Sequence, residues 1–181
     1  SIQSNENGGA ILLKNAGLVC TSISFSNCKT NSDGKEGDSS SSGGGGGICI
    51  MNDIEMNNSV SIKEANFTKC KAGYGGAVFI YSKSILSKIS ILDCYFASNE
   101  ATFSSSQTSK TSGGSAIFIT TKSSFISDCV FFKNIGENQV KIENQFSQSQ
   151  DEEQASLLSQ DQQKAKTTNI IRFCKFNIER H

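Results

Sequence analysis

Gly75-Gly76-Ala77-Val78-Phe79-Ile80, then Ile89-Ser90-Ile91, then Cys94-Tyr95-Phe96-Ala97-Ser98-Asn99: this stretch decides the fold, because the rest of the chain repeats it. The closing phrase occurs five times, as Ile23 to Cys28, Ala65 to Cys70, Cys94 to Asn99, Cys129 to Asn134 and Cys174 to Glu179, each with Phe in the same place. Two residues before that Phe stand Ile, Ala, Cys, Cys and Cys; three residues after it stand Cys, Cys, Asn, Asn and Glu. Positions that agree in size and polarity at a fixed offset imply repeats that stack. The opening phrase occurs as Gly8-Gly9-Ala10-Ile11, Gly46-Gly47-Ile48, Gly75-Gly76-Ala77-Val78 and Gly113-Gly114-Ser115-Ala116-Ile117. A fifth copy, Glu137 to Ile142, keeps the strand and loses the glycines.

Between the two phrases lies a third strand, clearest in Val60-Ser61-Ile62 and Ile89-Ser90-Ile91, with alternation of period two. Counted from the signature Phe, the inward positions are minus seven, minus five, minus two and zero, so minus four and minus three both face outward. Two adjacent outward residues break the alternation and predict a corner. Three short strands, a corner and a Gly-Gly bend predict an all-β, right-handed parallel β-helix of about five irregular coils, roughly 4.8 Å apart. Phe25, Phe67, Phe96, Phe131 and Phe176 then form one buried stack, and Cys28, Cys70, Asn99 and Asn134 one ladder.

Residues 29–45, 100–112 and 145–168 interrupt the repeat as Ser-, Gly-, Thr- or Gln-rich insertions; the third is expected to be partly helical around Ala155-Ser156-Leu157-Leu158. Residues 1–181 otherwise read as a single β-helix segment of a longer chain, with neither an initiator Met nor an apolar run that spans a bilayer. Only 36% of the chain is apolar, and it contains no Pro and no Trp, consistent with a backbone whose N–H groups nearly all join ladders. Lys plus Arg and Asp plus Glu both total 17, so nothing points to nucleic acid or an anionic membrane as a partner.

The paired phrases resemble the Gly-Gly-Ala-Ile and Phe-x-x-Asn motifs of the chlamydial polymorphic outer-membrane proteins, a pectin-lyase-like β-helix family. The likeness covers nearly the whole chain outside the insertions. Cys28 and Cys70 replace the motif Asn, and the fifth Gly-Gly is missing. What the resemblance implies is an extracellular or cell-surface adhesin.

Chemistry has few candidates. The corner position three before the Phe reads Ser22, Glu64, Asp93, Asp128 and Phe173. Stacked carboxylates could share a cation or divide acid and base roles. The competing reading is solvated corner residues neutralised by Lys63 and Lys88. A sugar-cleaving cleft would also want Arg, His or aromatic platforms, and the chain has one His, at its end. No Cys-x-x-Cys pair suggests zinc, and Cys94, Cys129 and Cys174 in one column with Cys28 and Cys70 in another read as mostly reduced packing thiols; Cys20 and Cys49 read as core strand residues. Asn57 and Asn66 begin glycosylation sequons. The expectation is a non-catalytic structural or adhesive module without cofactor, binding a protein, a glycan or further copies of itself end to end. A carbohydrate-active enzyme using Glu64, Asp93 and Asp128 is the alternative.

Overall fold

The computed structural model describes residues 3–4, 8–30, 44–55, 57–84, 87–102, 114–136, 138–143 and 168–177. Among them every strand pairing is parallel. The first repeat holds β1 (Gln3–Ser4), β2 (Ile11–Lys14), β3 (Leu18–Thr21) and β4 (Ser24–Ser26). The second holds β5 (Lys29–Thr30), β6 (Ile48–Asn52), β7 (Ser59–Lys63) and β8 (Asn66–Thr68). The third holds β9 (Lys71–Ala72), β10 (Val78–Ser82), β11 (Lys88–Leu92) and β12 (Tyr95–Ala97). The fourth holds β13 (Glu100–Ala101), β14 (Gly114–Thr120), β15 (Ser123–Ser127) and β16 (Val130–Phe132), and the fifth β17 (Asn138–Glu143), β18 (Thr168–Arg172) and β19 (Lys175–Asn177). Each strand lies beside its counterparts in the adjacent repeats, so the sheets run β1-β5-β9-β13, β2-β6-β10-β14-β17, β3-β7-β11-β15-β18 and β4-β8-β12-β16-β19. The described residues are thus all-β, in four parallel sheets. Among the described residues no helix is long and apolar enough to cross a membrane.

Three expectations are corrected. Each of the first four repeats carries four strands, because Lys29–Thr30, Lys71–Ala72 and Glu100–Ala101 form a sheet of two-residue strands too short to show alternation. For the same reason residues 29–30 and 100–101 belong to the sheets and not to the insertions, and Thr168 opens β18. The register also shifts the Gly-Gly alignment. Ile11, Ile48, Val78 and Ile117 are mutual partners, which puts Gly45-Gly46 and Gly114-Ser115 in the Gly-Gly places. Gly75 has a φ of 53°, and a Cβ on Gly76 would collide with the Ser115 carbonyl oxygen of the next repeat. One glycine therefore serves a left-handed turn and the next the close approach of two backbones. The expected helix near Ala155 lies outside the described residues.

The predicted corner is a left-handed residue. Ser22, Glu64, Asp93, Asp128 and Phe173 have φ between 50° and 55°. A second left-handed position, two residues after each signature Phe, is taken by Asn27, Lys69, Ser98 and Lys133. On either side of the first of these corners the chain buries Val60, Ile62, Ala65 and Phe67 in one repeat and Ile89, Ile91, Cys94 and Phe96 in the next, in register. Neighbouring rings of Phe25, Phe67, Phe96, Phe131 and Phe176 have centroids 4.8–5.0 Å apart and planes within 7°. Each such contact adds about 0.5–1.5 kcal/mol beyond burial alone.

In the β2-β6-β10-β14-β17 sheet the inner strands β6, β10 and β14 are buried on both faces. Its opposite side carries a smaller cluster of Cys49, Met51, Phe79 and Phe118, with Leu12, Tyr74 and Tyr81 packed against it. Cys49 therefore belongs to this second cluster and not to the main core. Unbroken apolar runs such as Ile48-Cys49-Ile50-Met51 are what a strand with two covered faces requires.

Candidate functional site

Register places Glu64, Asp93 and Asp128 on consecutive repeats, each exposed and each at a left-handed turn. Their partners lie close by. The Ser22 hydroxyl donates to Glu64 Oε2 at 2.9 Å, Lys63 Nζ lies 3.2 Å from Glu64 Oε1, and the Ser127 hydroxyl donates to Asp128. The Ser22 hydrogen bond first, and Lys63 second, hold the Glu64 carboxyl below the usual glutamate range. Dividing acid and base roles needs one carboxyl raised, which burial or a like charge would do. At Glu64 the shift is downward. Among the described residues no group of three His, Cys, Asp or Glu side chains is placed to hold a metal ion. Lys88 is exposed at the start of β11, in register with Ser59.

The ladder position is occupied differently in its two halves. Asn99 is fully buried: its Oδ1 accepts the Cys70 N–H at 3.0 Å, and its Nδ2 donates to the Phe67 carbonyl at 3.0 Å. Asn134 repeats this one step on, accepting the Asn99 N–H and donating to the Phe96 carbonyl. Gln139 Oε1 accepts from Asn134 Nδ2 at 3.1 Å and continues the ladder into the fifth repeat. At Cys70 the thiol instead points at the Thr68 and Phe25 carbonyls, 3.7 and 3.8 Å away.

All seven cysteines are free. The thiols of Cys94 and Cys129 donate to carbonyls of their own corner, Leu92 at 3.0 Å and Ser127 at 3.2 Å, and lie 3.7 Å from Ile62 and Ile91 carbonyls one repeat back. Burial pushes the Cys49 and Cys70 thiols up to about 12. The hydrogen bond between Cys94 and Cys129 makes Cys94 the first to ionise and raises Cys129, whose burial raises it further. The raised thiols of Cys49, Cys70 and Cys129 are poor nucleophiles at neutral pH. Cys20 is half-buried and packs against the main core.

Both sequon asparagines are exposed, on different backbones. Asn57 lies in the turn between β6 and β7, whereas Asn66 is held in β8 with its N–H on the Ile23 carbonyl. The fifth repeat leaves a cavity of about 260 Å³ lined by Asn134, Gly136, Asn138, Gln139, Val140, Ile171 and Phe176. Nothing in the repeat pattern announced it.

No protein-family model, no curated protein and no solved structure matches the chain. The class is therefore set by its own architecture: an all-β protein of in-register parallel repeats. Two features escaped the sequence. The short first sheet, with Lys71 Nζ 2.7 Å from Glu100 Oε1, gave no periodic signal. The second aromatic cluster could have been found from the apolar residues on both parities of β6, β10 and β14.

Proposed function

We propose that the four sheets are the walls of a right-handed parallel β-helix of five coils, and that the protein is a non-catalytic structural or adhesive module of the cell surface or extracellular space. Right-handed crossing is the rule for parallel connections. The observation that carries the functional reading is where the insertions are rooted. Thr30 ends β5 and Gly44 bridges to Tyr74, so residues 31–43 leave between the first and second sheets. Residues 103–113 leave between β13 and β14, at the equivalent place two repeats on. In the repeat between them, only Gly73 to Ala77 join the two sheets. A stack in which two polar insertions are rooted at one corner, two repeats or roughly 10 Å apart, suits the binding of a protein or glycan.

The carbohydrate-active alternative draws on Glu64, Asp93 and Asp128. It has less support: the carboxylates are exposed, Glu64 is held ionised by Ser22 and Lys63, and the cavity lies at the fifth repeat. Replacing both insertions by the Gly73-Tyr74 link of the third repeat separates the readings. On a glycan array and on immobilised extracellular-matrix proteins, the shortened chain should keep its β circular dichroism and lose binding. Undiminished binding, or release of reducing ends from a polysaccharide panel that Asp93→Asn abolishes, would overturn the adhesive reading.

A further inference from the structure

The second repeat holds both sequons, and the fold treats them differently. Asn57-Asn58-Ser59 runs from a turn into the first residue of β7, whereas Asn66-Phe67-Thr68 is the whole of β8. In each the asparagine is exposed and the middle residue turns inward, and Glu55 and Glu64 stand two residues before the respective asparagines. What separates them is the backbone. β8 is an inner strand, paired with β4 on one edge and β12 on the other. The Asn66 N–H donates to the Ile23 carbonyl at 2.9 Å, the Tyr95 N–H donates to the adjoining Ala65 carbonyl at 2.9 Å, and the Phe67 ring is stacked between those of Phe25 and Phe96. Lifting Asn66 clear therefore opens two ladders and the aromatic stack together. Asn57 lies outside the ladders. Its turn is anchored further back, where Asn15 Oδ1 accepts the Asp53 N–H at 2.9 Å and Asn52 Oδ1 accepts the Ala16 N–H at 3.0 Å.

We infer that Asn57 is an N-glycosylation site of the folded chain, and that Asn66, with the same signal, is closed. This rests on the cell-surface or extracellular reading above, which brings the chain to the enzymes concerned. A transferase must surround the acceptor amide and the hydroxyl two residues on at once. A segment hydrogen-bonded on both edges enters such a site only by local unfolding, whereas a surface turn needs none. In the transfer the Asn57 amide nitrogen bonds to the anomeric carbon of a lipid-diphosphate-linked oligosaccharide. The bond from that carbon to the diphosphate oxygen breaks, the lipid diphosphate leaves with the electron pair, and the amide gives up one proton to a base on the transferase. The placement suits the adhesive reading. β6 runs from the corner where the insertions are rooted to the turn that holds Asn57, so the glycan stands at the far edge of the second sheet and leaves the insertions clear.

The test incubates the purified folded chain, its β circular dichroism intact, with a single-subunit oligosaccharyltransferase and a lipid-diphosphate-linked oligosaccharide, and maps the modified residues by peptide mass spectrometry. Asn57 should be modified about tenfold more than Asn66 in the folded chain, whereas synthetic peptides Asp53–Lys63 and Ile62–Ala72 should accept within about threefold of each other. Asn57→Gln should abolish modification of the folded chain, Ser59→Ala should do so with Asn57 still in place, and Asn66→Gln should change nothing. A folded chain that takes no glycan at Asn57, or takes it as readily at Asn66, would overturn the inference. So would peptides that reproduce the ratio of the folded chain, because local sequence would then account for it. Enzyme and donor are both supplied, so a failure strikes the site and leaves the cell-surface reading standing.

Discussion

The side-chain oxygen of Asn134 accepts two hydrogen bonds from Asn99, one from its main-chain N–H and one from its side-chain amide, each at 2.9 Å. An interior rung is thereby tied to the next by a side chain as well as by its sheet. Asn99 does the same for the buried Cys70 N–H. Asn99→Ala leaves that N–H without its acceptor, takes the amide donor from the Phe67 carbonyl and removes one of the two bonds to the Asn134 oxygen, and should lower stability by about 2–4 kcal/mol. Asn99→Asp should be worse at neutral pH, because its second carboxylate oxygen faces the Phe67 carbonyl. Chemical denaturation of the two variants checks the order; an Asn99→Ala loss under about 0.5 kcal/mol would show that the ladder is decorative.

The aromatic stack predicts a position-dependent cost. Phe96 is fully buried between Phe67 and Phe131, whereas Phe176 is half-exposed at the end. Phe96→Ala should cost about 3–5 kcal/mol and Phe176→Ala about 1–2 kcal/mol. Equal losses in thermal unfolding would mean that the rings do not act as one stack.

Phe173 stands where other repeats use Ser, Glu or Asp, at φ 50° and 80% exposed. A bulky side chain in the left-handed region is strained, while Asn enters it readily. Phe173→Asn should therefore raise stability by about 1 kcal/mol. A β-branched residue at the equivalent Asp93, as in Asp93→Val, should lower it by about 1–2 kcal/mol. Denaturant midpoints that move in the opposite directions would remove strain as the explanation of the corner.

Buried thiols set an alkaline limit. Cys49 and Cys70 ionise at about 12 in the fold against 9.0 ordinarily, because burial disfavours the thiolate. A raised acid keeps its proton in the folded state while the unfolded chain releases it. Their contribution is thus intact below pH 9 and falls as pH climbs from 9 towards 12. Stability measured across that range should decline, and Cys49→Ala with Cys70→Ala should flatten the decline. Iodoacetamide at pH 8 should spare Cys49, Cys70 and Cys129 until denaturant is added; labelling without unfolding would show that the core is open.

Legibility followed the physics of each residue. Inward alternation fixed at Val60, Ile62, Ala65 and Phe67 could be read directly, since a period of two has no other use in a half-buried strand. The corner at minus three was visible as a break in that alternation, although its left-handed backbone was not. Two-residue strands such as Lys71–Ala72 were invisible, because no period fits in them. Gly45-Gly46 was misplaced by one residue because five consecutive glycines carry no register of their own; the Ile48–Val78 pairing supplies it.

What the sequence determined by itself was the repeat: which residue types recur, at what offset, and which of them face inward. Those are local properties, dictated by side-chain size and by the backbone freedom of glycine. What only the tertiary structure decided was contact between repeats. It showed that Asn134 ties to Asn99, that Cys49 turns away from the main core, that Glu64 is held by Ser22 some forty residues earlier in the chain, and that Val140, Ile171 and Phe176 line one cavity. Each depends on which strand lies above which, and a single repeat read alone does not contain that.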